Sequence, residues 1–369
     1  MKELATTPLP SQSSLGILKW VPRLEFVAIP IFAVICGFLI FSIFLVLLGK
    51  SPTDFFALVY KAGFSTAFSW QNTLSRAAPL LLAALCVALP AKLGLVVIGG
   101  EGAIALGAVA AGAIGAYLTN VSGVIAMPIL FLSAALTGAF WIGLVGFLRI
   151  KRGVNETIAS LLMAYIAIAI SNHLIESVFR DPASLNKPST ASLSEALRVG
   201  AMPIGIDVHW GFLAGLIACI VSWILVEKTT LGFSARIAGG NIRAAQVQGL
   251  PVAKLIIGFT ALGGAIAGIA GFYEVTAVHG SANASVFAGY GYTGILIAFL
   301  ARHNALAIIP ITIMLAGFEA SSGLIQRRMD LPDATILVFE GIVFVAILFS
   351  ETLYGRFRFF KHEYWKADA

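Results

Sequence analysis

"FVAIPIFAVICGFLIFSIFLVLL", residues 26–48, runs for 23 residues without a charged side chain. A bilayer hydrocarbon core about 30 Å thick takes about 20 apolar residues of helix to cross. The run is too long for the apolar part of a signal peptide and no small-residue cleavage site follows it, so it reads as a retained span. The rest of the chain has the same character. Of 369 residues 59% are hydrophobic and only 11% charged, where a soluble domain carries about 25% charged residues. Mean hydropathy is +0.94. The expected fold is all-α, a polytopic membrane helix bundle.

Hydropathy divides the chain into about ten spans, near 26–48, 74–90, 93–118, 124–148, 157–178, 209–227, 253–278, 288–301, 305–325 and 334–350. The third is interrupted by "VVIGGEGA". With the N-terminus in the cytoplasm, 16 of the 24 lysines and arginines fall in inside segments, the bias expected of cytoplasmic loops. Both termini are therefore expected inside. The organisation is a cytoplasmic tail over 1–25, a transmembrane domain over 26–350 and a second cytoplasmic tail over 351–369. The longest outer connection, 179–208, contains "NKPSTAS" and reads as a structured loop or short surface helix. "TTPLPSQSS" (6–14) has too little apolar content to pack.

The net charge of +6 belongs to span ends rather than to one basic patch, so orientation explains it and nucleic acid is not a partner. Cys36, Cys86 and Cys219 lie inside apolar runs without ligand-like spacing and read as small buried hydrophobes. The five histidines are scattered, and no hydrolase, metalloprotease or zinc-ligand pattern occurs. "GKS" (49–51) lacks a phosphate loop's first glycine, which would fall on Phe44. No catalytic residue, metal or cofactor is expected. Small residues fill the spans, as in "GAIALGAVAAGAIGAYL" (102–118) and "GGAIAGIAG" (263–271). Gly264-x-x-x-Gly268 is a spacing that lets helix backbones approach closely.

One polar stretch stands out, "TTLGFSARIAGGNIRAAQVQGLPVAK" (229–254). It is too polar to span, and its alanines and arginines favour a short helix. Gly239-Gly240 would bend the chain between two helical pieces, and Gly249-Leu250-Pro251 would end the second. The residues alone leave two readings, a solvated loop or a docking surface.

Four segments carry a resemblance. "TLSRAAPLLLAALCVALPAKLGLVVIGGEGAIALGA" (73–108) resembles a stretch ending in a glycine-framed Glu-Gly-Gln. "GVNETIASLLMAYIA" (153–167) is similar to an Asn-Glu-x-Ile helix start. "TTLGFSARIAGGNIRAAQVQGL" (229–250) resembles a cytoplasmic coupling loop, and "GYGYTGILIAFLARHNALA" (289–307) a Gly-Tyr-x-Gly span. In this order they resemble the permease subunit of an ATP-binding-cassette importer, in the nucleoside and simple-sugar branch related to branched-chain amino acid permeases. The resemblance implies a separate cytoplasmic ATPase, an extracytoplasmic solute-binding protein and a second permease subunit. It assigns Arg236, Gly239, Gly240, Asn241, Ala244, Ala245 and Gly249 to the ATPase-coupling helix and its bend, within a loop at 229–252.

The chain departs from the pattern in three places. It has Val96-Val97-Ile98-Gly99 for Phe-Asn-Ile-Gly, Glu101-Gly102-Ala103 for Glu-Gly-Gln, and Met163-Ala164-Tyr165-Ile166 for Leu-Asn-Tyr-Ile. Three polar side chains are thus missing from segments that would line the pathway, which points to a second permease of different sequence.

A carboxylate deep in lipid costs about 2.5–3.5 kcal/mol on insertion scales and so faces the bundle interior or a water-filled cavity. Glu101, beside a helix break at Gly99–Gly102, is read as a pathway or gating residue ahead of a structural hydrogen bond. Glu319 and Glu340 face the cavity or a neighbouring helix. Glu156 and Asn155 read as a helix cap with charge pairing beside "RIKR" (149–152). Glu274 and His279 are expected near water at the outer end of their span. Tyr165, Tyr290 and Tyr292 are rings able to stack on a ring-shaped solute, and Tyr165 and Tyr292 join the pathway set, although for Tyr290 and Tyr292 a place in the membrane-interface belt is the stronger reading. The expected function is ATP-driven import of a small polar solute, nucleosides ahead of sugars. The alternative is an ion-gradient-driven secondary transporter, which predicts paired broken helices with acidic ligands in both halves.

Overall fold

A computed structural model describes residues 12–351 apart from 204 and 206, with side chains described at residue 29 and from residue 31 to 350. Residues 1–11 of the expected N-terminal tail and 352–369 of the expected C-terminal tail lie outside the described residues. The α-helices are α1 (Gln12–Leu47), α2 (Pro52–Phe64), α3 (Ala67–Ala91), α4 (Gly100–Tyr117), α5 (Gly123–Arg152), α6 (Glu156–Glu176), α7 (Trp210–Lys228), α8 (Thr230–Gly240), α9 (Ile242–Val247), α10 (Val252–Tyr273), α11 (Tyr290–Leu300), α12 (Ala305–Met329) and α13 (Ala334–Glu351). No strand occurs among the described residues.

The chain divides into two compact units, one of residues up to 55 with those from 332, the other of residues 56–331. In the first, α1 packs on α13. Phe41 is fully buried there, its ring 5.1 Å from those of both Phe55 and Phe339 in edge-on geometry, an arrangement that adds about 0.5–1.5 kcal/mol per pair to simple burial.

The second unit is built around α10, which packs on α3, α4 and α5. Gly264 and Gly268 sit against the backbone of α5: a Cβ on either would strike the carbonyl of Gly138 or Ala134. Close backbone approach replaces the hydrophobic driving force that helices lose in lipid. The polar termini are satisfied locally. Thr66 accepts from Ser69 N at 3.1 Å to start α3, and Asn155 accepts from Ile158 N at 3.1 Å to start α6. Glu156 pairs with Arg149 at 2.5 Å, the capping and charge pairing expected for that segment.

The ten expected spans exceed what length and apolarity support. Seven helices among the described residues pass both tests, eight if Ile31–Leu47 and Pro52–Phe64 count as one broken span. Ala284–Leu300 and Ala334–Ser350 are shorter apolar helices. The shortfall falls on 26–48, which counts only with α2 as a bent pair, and on 288–301 and 334–350, whose helices are short. The interrupted span 93–118 still passes, with residues 93–99 a non-helical link and α4 starting at Gly100.

Within the connection 179–208, residues 189–193 lie against residues 280–283. Thr190 N donates to Ala282 O at 2.9 Å, and Leu193 N to Gly280 O at 2.8 Å. Leu193 and Leu197 join a core with Val275 and Val286.

Candidate functional site

The polar stretch folds as two short helices. Thr229 caps α8 by accepting from Gly232 N at 3.2 Å. The helix then runs through both glycines, so the bend falls on Asn241, which is extended (φ −155°, ψ 106°). Its side chain accepts from Ala244 N at 3.0 Å and starts α9. Gly249, at φ +78°, turns the chain toward α10 in a conformation that L side chains rarely adopt.

The two glycines differ. A Cβ on Gly240 would meet nothing within 4 Å, whereas one on Gly239 would strike Lys92 O and lie 3.1 Å from Leu93 Cα. Gly239 therefore lets the end of α8 lie on the backbone of the link between α3 and α4. Arg236 is occupied inside the chain, donating to Val226 O at 2.5 Å and pairing with Glu227 at 3.0 Å. Ala245 is fully buried and holds α9 down. Ala244 is exposed, and so is Val247 at 89%. Sequence reasoning missed Val247, although an apolar side chain inside a polar segment was its signal.

Between α3, α7 and the start of α12, a small cavity is lined by Lys92, Trp223, Glu227, His303 and Asn304 with apolar residues of α3. Burial pushes the Lys92 ammonium below its ordinary value, against the pull of Glu227 and with the push of Arg236. Burial, with Lys92 and Arg302 adding repulsion, lowers the His303 imidazole to about 4.

The link then climbs to the helix break. Thr157 Oγ1 donates to Val96 O at 2.9 Å, and Ile98 N donates to Ser160 Oγ at 3.0 Å. Both hydroxyls come from the first turns of α6. Gly99 and Gly102 are buried, and a Cβ on Gly102 would lie 2.8 Å from Ala164 Cα, so α4 and α6 meet backbone to backbone.

Glu101 is 2% exposed. Its Oε1 accepts from Gly289 N at 2.9 Å and its Oε2 from Gly291 N at 2.6 Å. The carboxylate thereby satisfies N–H groups that the start of α11 leaves without helical partners, where the helix dipole also favours negative charge. A Cβ on Gly291 would lie 2.6 Å from Glu101 Cα, so the close approach needs glycine.

The other expected pathway residues lie around this junction. Tyr165 and Tyr292 share a side-chain hydrogen bond and are 59% and 38% exposed. Glu319 is half-buried on α12 and, with Glu274, Arg76 and Glu101, acts electrostatically on Tyr290. The expectation of water around Glu274 is overturned. The residue is 1% exposed, in a π-helical turn over Glu274–His279, with its carboxylate 3.5 Å from His279 Nε2. The wider turn and the packed connection 179–208 enclose what hydropathy placed at a span end.

A sequence-family profile described as the permease component of branched-chain amino acid transport systems matches residues 69–348. The chain is 30% identical to the glucose ABC transporter permease protein TsgB13 of Haloferax volcanii, over 89% of this chain and 88% of that protein. It is 28% identical to the guanosine ABC transporter permease protein NupP of Bacillus subtilis, over 86% and 94%. It is 24% identical to the nucleoside ABC transporter permease protein NupB of Lactococcus lactis, over 88% and 91%. A polytopic helical bundle with this profile across most of its length is a transport component: the chain belongs to the branched-chain amino acid transport permease family, as the transmembrane permease of an ATP-driven ABC importer.

Proposed function

We propose that α8 and α9 form the surface on which a separate cytoplasmic ATPase docks. The observation that carries this reading is the exposed Val247 beside the exposed Ala244, on a short helix capped by Asn241 and held down by the buried Ala245. A small apolar projection on a capped, rigid support is what a groove on a soluble partner would receive, since anchors in desolvated pockets dominate interface energies. Hydrolysis of ATP belongs to that partner.

This placement puts both termini in the cytoplasm and 179–208 outside, within about ten passes of a prokaryotic inner membrane. The shorter apolar helices Ala284–Leu300 and Ala334–Ser350 would complete the passes as partial spans. The exposed Tyr165–Tyr292 pair faces a second permease chain of different sequence, and the pathway runs between the two. Gly99, Glu101, Gly102 and Glu319 shape its wall, Glu101 by fixing the start of α11. An extracytoplasmic binding protein delivers the solute. A nucleoside or related ring compound is favoured, with a sugar next; the names of the relatives support both, and none supports the ion-gradient alternative.

The test is co-purification of an ATPase encoded beside this chain. Val247→Asp and Ala244→Glu should leave membrane yield unchanged and abolish ATPase retention. Full retention in both variants would remove α9 from the docking surface.

A further inference from the structure

We propose that the link between α3 and α4, residues 92–99, is a strap that carries movement of the docking helices to the start of α11. The inference rests on the docking role of α8 and α9. It adds Thr157 and Ser160, which touch neither the docking surface nor the exposed tyrosines, as positioning residues of the transport cycle.

Three contacts define the strap. At its lower end Gly239 lies on Lys92 O and Leu93 Cα, and a Cβ on Gly94 would lie 3.4 Å from Gly239 O. In the middle, Thr157 Oγ1 holds Val96 O and Ser160 Oγ holds Ile98 N, at 2.9 and 3.0 Å. At its upper end Glu101 is bonded to Gly289 N and Gly291 N. Six residue steps from Leu93 to Gly99 span at most about 20 Å, so a short covalent link joins the point where α8 rests to the break before α4.

A loose loop would absorb a displacement at Leu93. This one has little freedom to do so. Leu93, Leu95 and Val97 are buried at 3%, 1% and 0% exposure, and close-packed interiors transmit strain. The two hydroxyls prevent the strap from sliding along α6. Gly291 brings the backbone of α11 against that of α4, so a shift of Glu101 moves the N–H groups bonded to it. A push on α8 thus reaches Tyr292, one residue beyond Gly291, through the strap's backbone and the two hydrogen bonds of Glu101.

The experiment uses the assembled transporter with Tyr292→Cys as a reporter in a Cys36→Ala background; Cys86 and Cys219 are buried. Maleimide labelling at position 292 is timed in the nucleotide-free state and after trapping with ATP and orthovanadate. The two rates should differ about twofold or more. In Thr157→Val combined with Ser160→Ala, ATPase retention should stay unchanged while the difference collapses. Thr157→Ser, which keeps the donor, should restore it if Ser160 is intact. Coupling changes of about 2- to 30-fold are the range that single positions between sites produce. A loss of yield in the double variant is separated from uncoupling by measuring Thr157→Val alone, which should show a partial collapse. Retained ATPase with an unchanged labelling difference in both variants overturns the strap and leaves docking intact. Equal rates in the two states of the unaltered transporter also overturn it. An unaltered chain that retains no ATPase overturns the docking reading, and the strap with it.

Discussion

Glu101 accepts one backbone N–H on each carboxylate oxygen, and that geometry makes its substitutions unequal. Alanine leaves Gly289 N and Gly291 N without acceptors in a site that is 2% exposed. Each buried donor stranded in this way costs about 1–3 kcal/mol, so Glu101→Ala should destabilise by about 2–6 kcal/mol. Glutamine keeps the shape but not the chemistry. Its carbonyl can accept from one glycine, while its NH2 faces the other N–H, donor against donor. Glu101→Gln should therefore lose about 1–3 kcal/mol. It should also weaken the fit between negative charge and the start of α11, worth about 0.3–1 kcal/mol or more when partly buried. Melting of the detergent-solubilised protein should fall in the order Glu, Gln, Ala, with uptake falling in both variants at equal expression. A Gln variant that melts with the unaltered protein would refute the reasoning, because one stranded N–H would then have no cost.

Gly239→Ala should destabilise by about 1–3 kcal/mol, the range for overpacking a filled space, while Gly240→Ala should be neutral or slightly stabilising; equal melting temperatures for the two would contradict the packing of α8 on Lys92. Asn241→Ala should cost about 1 kcal/mol by removing the cap of α9, read as faster amide exchange over 242–248 with the rest of the chain unchanged. His303 titrates near 4 in the folded chain and near 6.5 when unfolded, so between these values the unfolded chain holds more protons and stability falls as pH is lowered from 6.5 to 4. Partial solvent access reduces the full linkage to about 1–2 kcal/mol, and His303→Asn, which tolerates the left-handed φ of +56°, should flatten that part of the melting-versus-pH curve.

Composition alone settles that this chain is a membrane helix bundle, because lipid rewards apolar length in a way that shows in any run such as 26–48. The polar interruption at 229–254 was equally legible, since a segment too polar to span must leave the membrane, and its glycines and Asn241 marked where helices could end. What those residues do was not legible. Arg236 reads as part of the coupling helix, and its guanidinium is held within the chain by Glu227 and Val226. Gly239 and Gly240 are the same residue type, and only Lys92, about 150 positions earlier in the chain, distinguishes them. Glu101 shows the same limit. Its glycine neighbours signal a break, but the N–H groups that it serves lie 188 and 190 residues away. Glu274, at the end of an apolar run, reads as wet and is enclosed by a π-helical turn and a loop packed across it. Local pattern reports what a residue can do in its own helix, because hydropathy and capping act over a few turns. Hydrogen-bond satisfaction and backbone contact in the bundle are set between segments distant in sequence, and only the tertiary structure brings those segments together.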